Sequence, residues 1–343
     1  MNDLMTARPA APVRAPARLR DATPAERADW DALVTRFRNG RVVHRRAWLE
    51  SLEACGFGRA RYLVFEREGE IAGVLPGLVT RLGPLRIFGS PLAGWQSVSM
   101  GPAFDPARID TGEMMRLAVA HLERREGVHH VEIIHHELDP AAMAAHGFHG
   151  TPMPTFRMAL TPGEEGATLR RMKESARRNV RRAEKLGLVV EFEDGDAFVD
   201  EHFAQLREVW LRGGNVIPFG PARVRAYVRH MRDAGLLLAA SVRRPDTGAR
   251  IATATFTADG RELLLWMWAH DPRERWYRAT ELMTWAIMQR AMRGGCESLD
   301  FMGRGDFKAR FGATLDESKH RWVRSRYRWL AAARQAAERG YRW

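Results

Sequence analysis

The chain has 343 residues, 45% of them hydrophobic and 28% charged, which is the balance of an ordinary globular protein with a sizeable core. Of its 54 basic residues only four are lysine (Lys173, Lys185, Lys308 and Lys319), so arginine counts reflect composition more than chemistry, and a retained lysine is the more informative residue. No apolar run approaches the ~20 residues needed to cross a bilayer, and Cys55 and Cys296 show neither metal-ligand nor CxxC spacing, so a membrane-spanning chain and a structural zinc site are both excluded.

Residues 1–20 are rich in Pro, Ala and Arg and read as a disordered basic tail. Two short helices follow at 24–37 and 46–55, then a hairpin of strands 61–66 and 71–79 and a strand at 85–88. A Gly/Ser/Pro loop covers 89–102. The pattern continues with a helix at 111–125, a strand at 131–134, and Gly147-Phe148 ahead of a strand near 156–160. A basic helix is expected over 164–186, where the stretch RRMKESARRNVRRAEK carries eight basic residues against two acidic. Helices at 197–212 and 222–233 come next, then strands at 236–243, 250–256 and 262–269. A helix at 280–293, a strand at 297–301 and a last strand near 320–327 complete the series.

The second series repeats the order of the first, offset by roughly 165–180 residues, the sign of an internal duplication. The expected fold class is α/β, a mixed α+β arrangement of two tandem domains, residues 21–162 and 163–343, the second entered by the basic helix and closed by a C-terminal helix. Residues 1–162 hold 20 basic and 18 acidic residues, against 34 and 24 in residues 163–343, so a net +10 of the total +12 lies in the second half. Such a field suits a phosphate-bearing partner. In sheets of this class ligands bind where strands separate at their carboxyl ends, which points to residues 269–280 and 303–310.

The segment LDFMGRGDFKARFGA (299–313) is the most specific in the chain: a strand end, two glycines that let backbone approach a ligand, then a lysine. It resembles the signature of the FemAB-type aminoacyltransferases and the related CelD-type acetyltransferase-like proteins, which are tandem members of the GNAT superfamily of acyl-CoA N-acyltransferases. The matching residues are Asp300-Phe301, Gly303, Gly305, Phe307-Lys308 and Phe311-Gly312. Trp210-Leu211-Arg212-Gly213, the basic stretch from Ser175 to Lys185, and residues 270–282 fit the same families in order.

The resemblance implies two GNAT-like domains and an acyltransferase that makes an amide, the acceptor amine being its own nucleophile. The protein then positions reactants and stabilises the developing oxyanion. Lys308 is the candidate for that charge, or for holding a terminal phosphate of the donor, and Lys308→Ala is expected to abolish transfer while leaving the fold intact. Asp300 and Asp306 are candidates to take the amine proton, though Asp300 also suits a loop cap. Arg275, Arg278, Thr280 as a helix N-cap, Gly303, Arg304 and Gly305 are expected to bind donor phosphate. Arg212, Trp268 and Trp266 are assigned to the acceptor side, the two tryptophans read as alternating on one strand face; core packing is the competing reading for them, as a solvated face is for the basic helix.

GNAT enzymes that use acetyl-CoA hold its pyrophosphate on a Gly-rich turn at a helix N-terminus. Here residues 273–280, RERWYRAT, contain no glycine. Aminoacyl-tRNA is therefore placed ahead of acyl-CoA as donor, the donor being a co-substrate and no cofactor or metal being expected. The amine would belong to a bacterial peptidoglycan or other cell-envelope precursor, or to a small molecule. Peripheral association with an anionic membrane and a cytoplasmic location fit this reading. The alternatives are a CoA-dependent N-acetyltransferase of polysaccharide biosynthesis and a non-catalytic module binding RNA or the anionic envelope. The pairs His129-His130 and His135-His136 bracket a strand whose alternation sends them to two faces, so they are not assigned to a metal.

Overall fold

The computed structural model describes residues 15–97, 99–327 and 329–330, and the expected C-terminal helix lies outside them apart from its first residues. Two sheets carry the fold. In chain order the first contains β1 (Arg18–Asp21), β2 (Arg59–Arg67), β3 (Glu70–Leu82), β4 (Leu85–Ser90), β5 (Ala103–Phe104), β6 (His130–His135) and β7 (His149–Pro152). The second contains β8 (Thr155–Ala159), β9 (Val189–Phe192), β10 (Leu237–Arg243), β11 (Arg250–Ala258), β12 (Glu262–His270), β13 (Ser298–Asp300) and β14 (Thr314–Asp316). The last strand, β15 (His320–Ser325), returns to the first sheet between β6 and β7.

The helices are α1 (Pro24–Ala28), α2 (Trp30–Thr35), α3 (Arg46–Ala54), α4 (Thr111–Arg124), α5 (Pro140–Ala145), α6 (Glu165–Arg171), α7 (Glu174–Lys185), α8 (Asp196–Arg212), α9 (Pro221–Asp233) and α10 (Ala279–Arg293). Among the described residues no helix is long and apolar enough to cross a membrane.

Each half contains one parallel strand pair joined by a crossover helix, β4 with β6 through α4 and β12 with β13 through α10. A parallel pair needs such a crossover, and its appearance in both halves is the structural form of the repeat. The division at 162/163 is not the division between the sheets. β8 lies before that point yet pairs with β13 and β14, while β15 lies after it and pairs with β6 and β7. Each half thus lends one strand to the other.

The tail is also shorter than its composition implies. Residues 1–14 lie outside the described region, but Arg18 to Asp21 pair with Leu63 to Glu66 of β2. The arginines that look like compositional bias are the reason: Arg18 and Arg20 both donate to Glu66, Arg20 from Nε at 2.7 Å, and Arg20 also grips Glu26 at 2.8 Å. The basic helix is likewise two helices. Between α6 and α7, Met172 is extended with ψ 143° and 2% exposed, because its side chain turns into the core and Lys173 N donates to Arg310 O at 2.9 Å.

A core shared by both halves fills the seam. Trp48 of α3 meets Tyr227 of α9 edge-on at 5.7 Å, and Tyr227 stacks on Trp266 of β12 at 3.9 Å. All three rings are buried. Aromatic pairs in these geometries add about 0.5–1.5 kcal/mol beyond the area they bury, which favours one fixed orientation of the halves.

Candidate active site

β12 and β13 are paired only from Glu262 to Leu264 against Ser298 to Asp300. Beyond that point they part, and the V between them opens into a cavity of about 450 Å³. Trp268 forms its apolar wall, backed by Phe301, Phe307 and Phe311 at 5.8, 5.5 and 6.1 Å. Its polar wall comes from His270, Arg275, Arg278, Thr280, Glu281, Arg304, Gly305 and Lys308. The two segments expected to form the site, 269–280 and 303–310, therefore do meet across one opening.

The N-terminus of α10 faces this opening. Its N-cap is Arg278, not Thr280, held in the left-handed region at φ 60° with no side chain capping the helix. Thr280 instead lies in the first turn, and the first-turn N–H groups of α10 have no partner within the helix. They and the helix dipole make this end receptive to an anion. Arg278 Nε is buried without a hydrogen-bond partner, while Arg275 is exposed at the wall. Glu281 lies 3% exposed beneath them, accepting from Asn179 Nδ2 at 2.7 Å, with Arg310 3.9 Å away.

The opposite wall is the glycine loop. Met302, Gly303 and Gly305 have φ of 53°, 67° and 144°, a run of left-handed conformations that two glycines make accessible. Lys308 closes the loop on itself: its Nζ donates to Met302 O, to Gly303 O at 3.2 Å and to Arg304 O at 3.1 Å. Burial pulls its ammonium down to about 8, which the Asp300 charge partly offsets and Lys319 reinforces. All three Lys308 protons are thus engaged by the loop, so the side chain fixes loop shape and carries a charge at the cavity wall.

Asp300 and Asp306 are not brought together. Asp300 is 1% exposed at the end of β13, and its Oδ1 accepts from Thr155 Oγ1 at 2.6 Å and from Met302 N at 2.8 Å. That is the loop-capping arrangement, and its Oδ2 is left buried without a partner. Asp306 is exposed and does not line the cavity.

Trp266 is separated from Trp268. The register of β11 against β12 passes from Thr255↔Met267 to Phe256↔Leu265, leaving Trp266 as the extra residue of a bulge. A bulge reverses the facing of the residues beyond it. Trp266 therefore points into the seam, 3% exposed, its Nε1 donating to Gln96 O at 2.9 Å, while Trp268 points into the cavity. Arg212 lies outside the cavity, paired with Glu208, though its charge acts on His270 and Asp271.

Reading by residue type missed His270, Glu281 and Asn179, which carry no motif. His270 is the last residue of β12, and burial together with the Arg212 charge holds its imidazole below the ordinary range, so it is neutral near pH 7. A buried network at the seam was equally silent. Arg157 binds Glu262 at 2.9 Å and Asp316 at 3.5 Å, Arg41 reaches Glu262 at 3.3 Å, and Lys319 is 1% exposed nearby. Burial raises Glu262 and lowers Lys319.

The family model of the acetyltransferase (GNAT) domain matches residues 170–311, which include the cavity wall from both strands. No curated protein matches the chain. Among solved structures it resembles FemX, at 15% identity and a TM-score of 0.72 over 89% of this chain and 96% of that one. A protein of unknown function from Bacteroides thetaiotaomicron VPI-5482 follows at 11% identity and 0.58, covering 89% and 98%. A tandem GNAT protein from the clavulanic acid biosynthesis pathway is 14% identical, with a TM-score of 0.54 over 91% and 98%. At such identities the likeness is one of fold, and it extends over both halves.

Proposed function

We propose that this chain is a GNAT-type acyltransferase, built as a FemAB-like tandem pair, that joins an activated acyl or aminoacyl group to an amine. One observation carries the reading: the V between β12 and β13 holds a helix N-terminus with no side-chain cap, three arginines and the Lys308 charge around a single cavity. An acyl carrier whose leaving portion bears phosphate fits those groups.

In the reaction a C–N bond forms at the donor carbonyl, the ester or thioester bond to the carrier breaks, the amine gives up a proton, and the carrier leaves as its alcohol or thiol after taking one up. The helix end, Arg275 and Arg278 hold the carrier. Lys308, its protons spent on loop carbonyls, supplies a fixed positive field towards the oxyanion, and preorganised charge of this kind lowers a barrier without reorganisation. His270, neutral and on the cavity wall, is the group suited to receive the amine proton. It takes the role that the sequence assigned to Asp300 and Asp306.

Aminoacyl-tRNA remains ahead of acyl-CoA as donor. Arg278 occupies the left-handed position where a glycine would give a pyrophosphate close access to backbone, and the positive excess of residues 163–343 favours a polyanion. The acyl-CoA reading draws on the free first-turn N–H groups of α10. The acceptor is an amine of a cell-envelope precursor or a small molecule, and the reaction belongs in the cytoplasm, where both donors occur. Incubating the purified protein with charged tRNAs, acyl-CoAs and an amine panel, read by mass spectrometry, is expected to yield an N-acylated product from one donor class. Salt-sensitive RNA binding with no product from any pair would refute catalysis and favour a binding module.

A further inference from the structure

The 3-10 turn Pro272–Tyr277, which leads into α10, carries a tryptophan that is left largely open to solvent. Trp276 is 44% exposed and lies in sequence between Arg275 and Arg278, which line the cavity, without lining it itself. Its neighbour Tyr277 is buried, lies 3.8 Å from it, and is covered by Arg244 at 5.4 Å, so the turn that carries Trp276 is anchored from beneath. From the side, Arg182 of α7 stands 5.9 Å over the Trp276 ring, a loose approach at the edge of cation–π range.

Arg182 belongs to a stripe. Arg178, Arg181, Arg182 and Lys185 are spaced to share one face of α7 and are all exposed, while Ala176, Val180 and Ala183 bury the other face. Among the described residues no carboxylate lies within ion-pair distance of Arg178, Arg181 or Arg182. An exposed indole beside unpaired guanidinium groups, flanked in sequence by arginines of a phosphate-receptive cavity, has the composition of a base-stacking platform. Every nucleobase presents a π face, and flanking arginines take up phosphates.

We infer that Trp276 and Arg182 stack the adenine of an adenosine nucleotide carried by the donor, while Arg275, Arg278 and the α7 stripe hold its phosphates. This rests on the acyl-donor reading above. Adenosine is the chemistry that the two candidate donors share, since coenzyme A ends in a phosphorylated adenosine and the amino acid of a charged tRNA sits on a terminal adenosine.

Calorimetric titration of the full chain with three probes tests the assignment: coenzyme A, a short RNA ending in CCA, and inorganic pyrophosphate, which has no base. Trp276→Ala should weaken the adenosine-bearing probe that binds by roughly 5- to 150-fold, the range expected for one stacked base. Trp276→Phe should restore most of that loss, and pyrophosphate should bind all three proteins alike. Whichever of coenzyme A and the RNA responds identifies the source of the adenosine. Unchanged affinity of that probe for the alanine variant, or an equal loss for pyrophosphate, overturns the platform while leaving the donor reading in place. Failure of both adenosine probes to bind the wild-type chain overturns the donor reading, and the platform with it.

Discussion

Replacing Lys308 by methionine keeps most of the side-chain volume while removing three hydrogen bonds from a cation to the carbonyls of Met302, Gly303 and Arg304. Bonds to a charged donor contribute about 1.5–3 kcal/mol each. Against them stands the cost of keeping the ammonium buried. The drop from 10.5 to about 8 corresponds to about 3 kcal/mol. With two of the bonds as long as 3.1 and 3.2 Å, the balance falls near the low end, a destabilisation of about 2 kcal/mol centred on the loop. The fold is therefore expected to survive Lys308→Met, but not untouched as the sequence alone implied. Loss of a charge that acts through space, with no proton left to donate, should lower kcat by more than tenfold but by less than the roughly 10²–10³ lost with a direct oxyanion donor. Denaturant unfolding, limited proteolysis at residues 302–308 and steady-state kinetics measure the three effects. A variant that unfolds like wild type and retains activity within tenfold would refute both the clamp and the electrostatic role.

Two further tests separate neighbouring residues. Trp266→Ala should cost about 3–5 kcal/mol of stability, as for other buried tryptophans, with little change in substrate affinity once folded, whereas Trp268→Ala, which removes a cavity wall, should chiefly raise KM; equal effects on stability would contradict the bulge. The pH profile of kcat/KM should fall above about 8 as Lys308 loses its charge, and fall on the acid side below the ordinary histidine value as His270 becomes protonated. Removing a positive neighbour raises a histidine pKa, so Arg212→Ala should move the acid limb to higher pH, and a limb that stays in place would exclude His270 as the proton acceptor.

Local pattern and composition encode only part of this structure, and that part was legible in the sequence. The periodicity of α4, α8, α9 and α10 and the strands that flank them was readable. So was the motif at 299–313, because Gly303, Gly305 and Lys308 meet a demand made within six residues. Trp266 was misplaced because one extra residue in β12 inverts the alternation on which any face assignment rests, and a bulge leaves no fixed mark in sequence. Asp300 as a loop cap was readable from position, but its partner was not, since Thr155 lies 145 residues away. His270 and Glu281 acquire meaning only from burial and from Arg212, Asn179 and Arg310 around them.

The exchange of β8 and β15 has the largest consequence for the site. Thr155 begins β8, a strand on the first half's side of the 162/163 point that completes the second sheet. Its hydroxyl donates to Asp300 and accepts from Gly303 N at 3.0 Å. The next residue, Phe156, accepts from Phe301 N at 2.9 Å and donates to Gly303 O at 3.3 Å. The loop whose carbonyls hold Lys308 is thus hydrogen-bonded to a strand lent by the other half, while β15, inserted between β6 and β7, ties the second half back to the first. Neither sheet is complete without the other half of the chain. The two halves are therefore not independent at this site: residues 1–162, which contain no lysine, supply the backbone that shapes the Lys308 loop.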